Sequence, residues 1–127
     1  MRDKETPTGL FGKHASGAAA ERRAAEYLER AGLKLIERNY RTAFGEIDLI
    51  MQDRSMVVFV EVRYRVRDDY GSAAESVDRR KQARLRATAE HFLQHDQRAS
   101  NRPCRFDIVA IAPSADGDRI EWLRDAF

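Results

Sequence analysis

Cysteine is almost absent from this chain of 127 residues, which contains only Cys104. A single cysteine excludes an intramolecular disulfide framework and a zinc site built from several thiolates. Long apolar runs are missing too, since none approaches the roughly 20 residues of a membrane-spanning helix, and Met1 to Thr8 lacks the apolar segment of a signal peptide. These absences predict a cytoplasmic protein that does not enter a membrane.

A large net charge is also lacking, because 23 basic side chains oppose 21 acidic ones and leave a formal charge of +2. Most of the basic residues are arginines, whose planar guanidinium groups match the oxygens of a phosphate. The clustering of these arginines along the chain therefore says more about partners than the total charge does.

The length suits a single domain. Residues 1–13 combine proline and glycine with scattered charge and show no apolar period, so we expect a flexible leader there and one domain over residues 14–127. The first helix is predicted to begin near Ser16. It should end at Gly32, a residue suited to the left-handed conformation that terminates helices.

Three strands are predicted after this helix from their apolar patterns, at Leu33–Arg41, Glu46–Met51 and Met56–Arg65. The polar residues 52–55 join the second strand to the third as a loop of hairpin length. Symmetric pairing across that loop would place Glu46 opposite Glu61, with Asp48 on the diagonal of the same face. The three acids would then converge.

A second helix is predicted to begin after Asp78, which can cap it, and to run to about His95. An apolar strand follows at Arg105–Ile111, and a short last strand at Ile120–Leu123. The long helix between the third and fourth strands allows a parallel crossover. The order α-β-β-β-α-β-β thus predicts an α/β fold with three α/β/α layers and a mixed central sheet.

Acidic side chains on apolar strands are the main functional signal. Glu46 and Asp48 belong to the second strand, and Glu61 belongs to the third, two residues before Arg63. Carboxylates beside apolar side chains are costly unless they are compensated, and a divalent cation next to a guanidinium would compensate them. One or two Mg²⁺ or Mn²⁺ ions would also activate water for phosphodiester hydrolysis. The pattern therefore predicts a metal-dependent nuclease site.

The motifs around these acids resemble known proteins. An acid on one strand, followed on the next by an acid, any residue and a cation, resembles the signature of restriction-endonuclease-like nucleases. The chain more specifically resembles the YraN-type family of small bacterial proteins, from about Gly17 to Phe127. The motifs that carry this resemblance are Gly45-Glu46-Ile47-Asp48-Leu49-Ile50, Phe59-Val60-Glu61-Val62-Arg63-Tyr64-Arg65, Ser76-Val77 with Lys81, Cys104-Arg105-Phe106-Asp107 and Asp125-Ala126-Phe127. The resemblance implies a restriction-endonuclease-like fold, similar to that of Holliday-junction resolvases.

The resemblance also implies roles for individual residues. Asp48 and Glu61 would hold the metal, and Arg63 would take the position of the catalytic lysine. Glu21 on the first helix matches an acid that resolvase-like members place near the metal, and Glu46 would lie just outside the ligands. Arg63 departs from the pattern, because a guanidinium stays protonated in proteins and cannot act as a general base. Resolvases act as dimers on two-fold symmetric junctions, so a homodimer is expected by analogy.

A basic cluster at the start of the second helix predicts nucleic-acid binding. Cations there oppose the helix dipole at a cost of about 0.3–1 kcal/mol per charge, which an anionic partner would offset. No base-reading motif is present, so we expect contacts to the DNA backbone. The residues expected to make these contacts are Arg65, Arg79, Arg80, Lys81 and Arg84.

Other interpretations remain open at this stage. Glu61 and Arg63 could pair on a solvated strand face, Glu21 could belong to a wet helix surface, and the basic cluster could be a solvated helix face. Asp107 is expected to pair with Arg105 rather than join the site. A protein that kept the fold but lost the chemistry would bind nucleic acid without cleaving it. A protein-interaction subunit would instead use the basic helix to meet an acidic partner.

Overall fold

The computed structural model describes residues 8–64, 76–115 and 117–127. Two helices and five strands follow one another there in the predicted order. Their bounds are α1 Thr8–Arg30, β1 Lys34–Arg41, β2 Glu46–Asp53, β3 Met56–Tyr64, α2 Arg79–His95, β4 Cys104–Ser114 and β5 Gly117–Leu123.

The five strands form one sheet in the order β1-β2-β3-β4-β5. Neighbouring strands are antiparallel except β3 and β4, which are parallel. A parallel pair needs a crossover connection, and α2 lies in the connection between these two strands. The predicted mixed sheet and crossover are therefore confirmed.

The two helices cover opposite faces of the sheet, because successive side chains of a strand point to opposite sides. On one face Phe59 of β3 packs against Phe92 of α2, with ring centroids 6.1 Å apart. On the other face Val58 of β3 packs in the same cluster as Leu28 of α1. Burying one such side chain contributes about 1.5–3 kcal/mol. The three-layer prediction is confirmed.

Helix α1 begins at Thr8, earlier than the predicted start near Ser16, and so includes residues 8–13 of the predicted leader. It ends as expected. The amide of Leu33 donates to the carbonyl of Leu28 at 3.0 Å, and Gly32 has a φ of 105°, which favours glycine. In the described ranges, neither helix is long and apolar enough to cross a membrane.

Helix α2 begins at its predicted cap. The Asp78 side chain accepts a hydrogen bond from the backbone amide of Lys81 at 2.8 Å and so satisfies a donor that the helix itself cannot pair. The helix then runs from Arg79 to His95, as the apolar spacing predicts. This cap fixes the first turn of α2, to which Lys81 belongs.

The turn between β2 and β3 is shorter than expected. The predicted loop covers residues 52–55, but β2 continues to Asp53, which pairs directly with Met56. Only Arg54 and Ser55 remain in the turn, and Arg54 adopts a φ of 59° in the left-handed region. The loop is therefore two residues shorter than symmetric pairing around residues 52–55 requires.

This shorter turn changes the register of the hairpin. Leu49 of β2 pairs with Val60 of β3. One residue further along each strand, Asp48 therefore comes next to Glu61. The expectation that Glu46 lies opposite Glu61 is wrong. The hairpin instead brings Asp48 next to Glu61 and leaves Glu46 further along β2.

Candidate metal and nucleic-acid site

Strands β2 and β3 separate at the end of the sheet that carries the acids. Their described pairing stops at Leu49 and Val60. Beyond that point the amide of Val62 donates to Oδ2 of Asp48 at 2.8 Å. The Asp48 carboxylate thus replaces a backbone carbonyl as the acceptor and lies in the gap between the two strands.

Glu61 is 5% exposed and lies between two cations. Its Oε2 is 3.3 Å from Nη2 of Arg63 and 3.4 Å from Nζ of Lys81. A buried carboxylate is costly unless it is paired, and these contacts compensate it. The ion pair between Glu61 and Arg63 therefore exists, but its acid is buried rather than on a solvated face.

Asp48 is in a less favourable electrostatic environment. Burial, and then the negative charge of Glu61, raise the pKa of Asp48 to about 8, although the hydrogen bond from Val62 opposes this shift. The charges of Glu21 and Glu46 raise it further by smaller amounts. In the described chain no basic side chain forms an ion pair with Asp48. An additional positive charge would therefore stabilise the Asp48 carboxylate.

Glu21 and Glu46 lie near Asp48 and share one hydrogen-bond donor. Nδ2 of Asn39 donates to Glu21 at 2.9 Å and to Glu46 at 3.1 Å. Nε of Arg41 also lies 3.3 Å from Glu46. Among the residues described, no three His, Cys, Asp or Glu side chains form a metal-ligand cluster. The expected convergence of three acids is therefore replaced by two neighbouring pairs.

Sequence reasoning did not identify Asn39. Its φ of 50° lies in the left-handed region, which asparagine tolerates better than most residues. One asparagine within the strand-forming stretch that holds Glu37 and Arg38 was the available signal, and it indicated only a turn. The partners of its amide lie on α1 and β2, so the local pattern could not reveal them.

Arg63 has a second contact besides Glu61. Its Nη2 donates to the backbone carbonyl of Ser76 at 3.1 Å. The guanidinium therefore ties β3 to the segment that enters α2. This contact fits a residue that holds Glu61 in place, whereas the family resemblance implies that Arg63 takes the position of the catalytic lysine.

Lys81 lies closer to the acids than its sequence context indicated. The sequence predicts that Lys81 contacts the DNA backbone, yet its ammonium lies 3.4 Å from Oε2 of Glu61. The crossover explains this position, because it brings the start of α2 over the carboxyl end of β3, the end where α/β proteins commonly bind ligands. The cap at Asp78 then fixes the backbone of Lys81. The position of Lys81 next to Glu61 thus depends on the topology of the sheet, which the local sequence pattern does not reveal.

Three of the other predicted DNA-binding residues lie beside this site. Arg79, Arg80 and Arg84 are exposed on the first two turns of α2. A Cβ atom built on Gly45 would be 3.5 Å from Cβ of Arg84, so these turns pack against the connection between β1 and β2. Arg65 lies outside the described residues. The exposed arginines and Lys81 define a positive surface next to the acids, called here the α2 basic surface.

The oxygen donors at the gap between β2 and β3 suit a small divalent cation. Mg²⁺ usually binds through one or two carboxylates and keeps several waters, rather than using a full protein cage. Asp48 and Glu61 supply two such carboxylates. Glu21 and Glu46 hydrogen-bond to Asn39, so they fit a supporting position better than a ligand position.

This fold and site define a class of protein. A mixed sheet between two helices, with carboxylates and cations near the carboxyl end of a central strand, is consistent with the α/β fold of restriction-endonuclease-like nucleases. A family model described as "Uncharacterised protein family UPF0102" matches residues 20–111. The chain belongs to this family, which is the YraN-type family expected from its motifs.

Relatives resemble the chain over most of its length. A UPF0102 protein of Nitrosococcus oceani is 52% identical over 111 residues, which cover 87% of this chain and 90% of the relative. One from Pseudomonas putida is 50% identical over 113 residues, covering 88% and 92% of the two chains. One from Methylococcus capsulatus is 50% identical over 112 residues, covering 88% and 89%. These names state no activity.

Proposed function

We propose that this protein binds DNA and hydrolyses phosphodiester bonds with Mg²⁺ or Mn²⁺ held by Asp48 and Glu61. One observation carries this proposal. Two carboxylates meet where β2 and β3 separate, and two cations lie 3.3 and 3.4 Å from one of them. A purely structural ion pair does not need the second carboxylate, whose charge only adds repulsion.

Each side chain has a distinct task in this proposal. A bound ion would supply Lewis acidity and a water with a lowered pKa. Lys81 is one-third exposed, so its ammonium can contact a phosphate oxygen while it stays beside Glu61. Arg63 holds Glu61 in position through its link to Ser76. Lys81 on α2 thus supplies the lysine charge that β3 lacks.

The α2 basic surface would bind the rest of the nucleic acid. Arg79, Arg80 and Arg84 are exposed beside Lys81 and can each neutralise a phosphate. Such contacts position a backbone and read no sequence, so the specificity must come from the shape of the substrate. A cytoplasmic location fits the free, exposed thiol of Cys104, which oxidising compartments disfavour. A homodimer remains a prediction.

Cleavage of branched, single-stranded and duplex DNA with Mn²⁺ tests the proposal. Glu61→Gln should lower the rate by about 100-fold or more, because it removes a metal-ligand charge. Glu121→Gln, which changes an exposed acid on β5, is the matched control and should leave the rate unchanged. Mn²⁺ binding, followed by calorimetry, should weaken in the first variant only. Full cleavage by Glu61→Gln would refute the assignment.

A second candidate function is nucleic-acid binding without cleavage. It is favoured by the two internal cations of Glu61, which already satisfy that carboxylate, and by the arginine at position 63. Salt-dependent DNA binding without Mn²⁺ uptake would support it. Failure to bind any nucleic acid at low salt would instead support the protein-interaction alternative, in which the basic surface meets an acidic partner.

A further inference from the structure

Two large hydrophobic side chains are strongly exposed in the described parts of the chain. Phe44 is 54% exposed and Tyr64 is 42% exposed. Single apolar residues on a surface are ordinary and need no explanation. The positions of these two are not scattered, however. Phe44 precedes β2 and Tyr64 ends β3, so both lie at the end of the sheet where Asp48 meets Glu61.

The connection that presents Phe44 is well fixed. The amide of Phe44 donates to Oγ1 of Thr42 at 3.0 Å, and the amide of Thr42 donates to the carbonyl of Gly45 at 2.8 Å. Gly45 packs so closely on α2 that a Cβ there would be 3.4 Å from Oγ1 of the buried Thr88. The backbone that carries the ring is therefore already ordered before binding, which lowers the entropic cost of a contact.

The surroundings of Phe44 select the kind of ligand. The same packing brings Arg84 next to the connection, and Arg80 lies one helical turn before it on the same side of α2. On the other side the chain continues into Glu46 and Asp48. A phosphate backbone held by these arginines would therefore pass beside the connection that carries the ring. An aromatic face beside a positive surface is the usual platform for bases of single strands.

We infer that Phe44 stacks on an unpaired nucleobase close to the scissile phosphate. The inference rests on the proposed function and specifies its substrate class, which is DNA with single-stranded or branch-point nucleotides. In the interior of a continuous duplex both faces of each base are covered by neighbouring bases, so no interior base is available to the ring without unstacking. Phe44 thus favours unpaired DNA over intact duplex.

Binding without metal isolates this contact from catalysis. The full chain is titrated, with a chelator and at low salt, into a single-stranded oligonucleotide containing 2-aminopurine and into a blunt duplex with the same number of phosphates. Phe44→Ala should weaken binding to the single strand by about 5-fold to 100-fold and binding to the duplex by less than about 2-fold. Wild-type protein should quench 2-aminopurine fluorescence through stacking, and Phe44→Ala should not.

Two further substitutions separate stacking from apolar contact. Phe44→Trp enlarges the aromatic face and should bind the single strand at least as tightly as the wild type. Phe44→Leu keeps an apolar side chain without an aromatic face and should behave like Phe44→Ala. This comparison decides the question even if the alanine variant folds poorly. Equal affinities of the leucine and tryptophan variants would overturn the inference.

The remaining control separates this inference from the proposed function. Arg84→Gln should weaken binding to both DNAs about equally, because it removes a phosphate contact. If the wild type binds neither DNA, the proposed function fails. If it binds both and Phe44→Ala changes both equally or neither, only the stacking inference is overturned.

Discussion

Two carboxylates on the central strands differ sharply in their partners. Asp107 on β4 is fully buried and accepts hydrogen bonds from Nε of Arg105, Nε1 of Trp122 and the amide of Asp125, each at 2.9 Å. Asp48 on β2 accepts one hydrogen bond, from Val62, and lies beside a like charge. The first carboxylate is satisfied by the protein, and the second is not.

This difference separates structural acids from candidate functional ones. In the sequence both acids stand inside apolar runs, so their immediate neighbours do not distinguish them. Arg105 also contacts Asp53 at 3.1 Å, so Asp107 belongs to a network that joins three strands and the chain beyond β5. The predicted pairing of Asp107 with Arg105 is confirmed. An acid without such a network can still be stabilised by a positively charged ligand.

Removal of Asp107 should produce the largest effect on stability. Asp107→Ala leaves the guanidinium of Arg105 and the indole N–H of Trp122 without their acceptor, so unfolding in urea should become easier by about 3–5 kcal/mol. Asp107→Asn keeps an acceptor and should cost less. Mn²⁺ binding to the folded protein should not change. A loss of stability below about 1 kcal/mol would show that the Asp107 network contributes little to folding.

Substitution of Asp48 should instead increase the stability of the protein. The raised pKa of Asp48 means that the folded protein binds more protons than the unfolded chain between about pH 4 and pH 8, so its stability falls as pH rises through this range. Asp48→Asn removes the charge and can still accept from Val62. Without metal, the variant should exceed the wild type by about 2–4 kcal/mol above pH 8 and by little near pH 4.

Urea unfolding at several pH values, with a chelator present, measures this difference. Glu121→Gln again serves as the control, since its acid is exposed. A gap between Asp48→Asn and wild type that does not change with pH would contradict the electrostatic account of the site. A stability difference between Asp48→Asn and wild type that grows as the pH falls would contradict the raised pKa of Asp48.

Lys81→Gln should have the smallest effect on stability. Lys81 is one-third exposed and Glu61 keeps Arg63, so the loss should be about 0.5–1 kcal/mol in urea unfolding. Mn²⁺ should nevertheless bind more tightly, because a competing positive charge has left Glu61. Lys34→Gln, which changes an exposed lysine on β1, controls for net charge. Weaker Mn²⁺ binding would mean that Lys81 mainly positions the carboxylate.

Local signals in the sequence were sufficient for much of the fold. Asp78 marks the start of α2 because its side chain caps an amide only three residues away. Gly32 marks the end of α1 because the chain there needs a left-handed residue. The hairpin register could not be predicted in the same way. It depends on the left-handed conformation of Arg54, which the sequence does not favour and which shortens the turn.

The candidate site was predictable only in part. Asp48 and Glu61 were identified because acids stand out on apolar strands, and the hairpin does bring them together. The positions of Asn39 and Lys81 were missed, because each contact spans elements far apart in the sequence. Long side chains can reach several neighbours. Which neighbour such a side chain contacts depends on packing angles that strand and helix patterns do not encode.

The hydrogen bond from Val62 to Asp48 bears on how relatives diverge. The side-chain oxygen of asparagine could accept the same proton, and one nucleotide change converts an aspartate codon to an asparagine codon. The scaffold could therefore survive the loss of the proposed metal-ligand charge in a single mutational step. In an alignment, asparagine at this column would mark a relative that keeps the hairpin without that charge, whereas an apolar residue would mark a rebuilt hairpin.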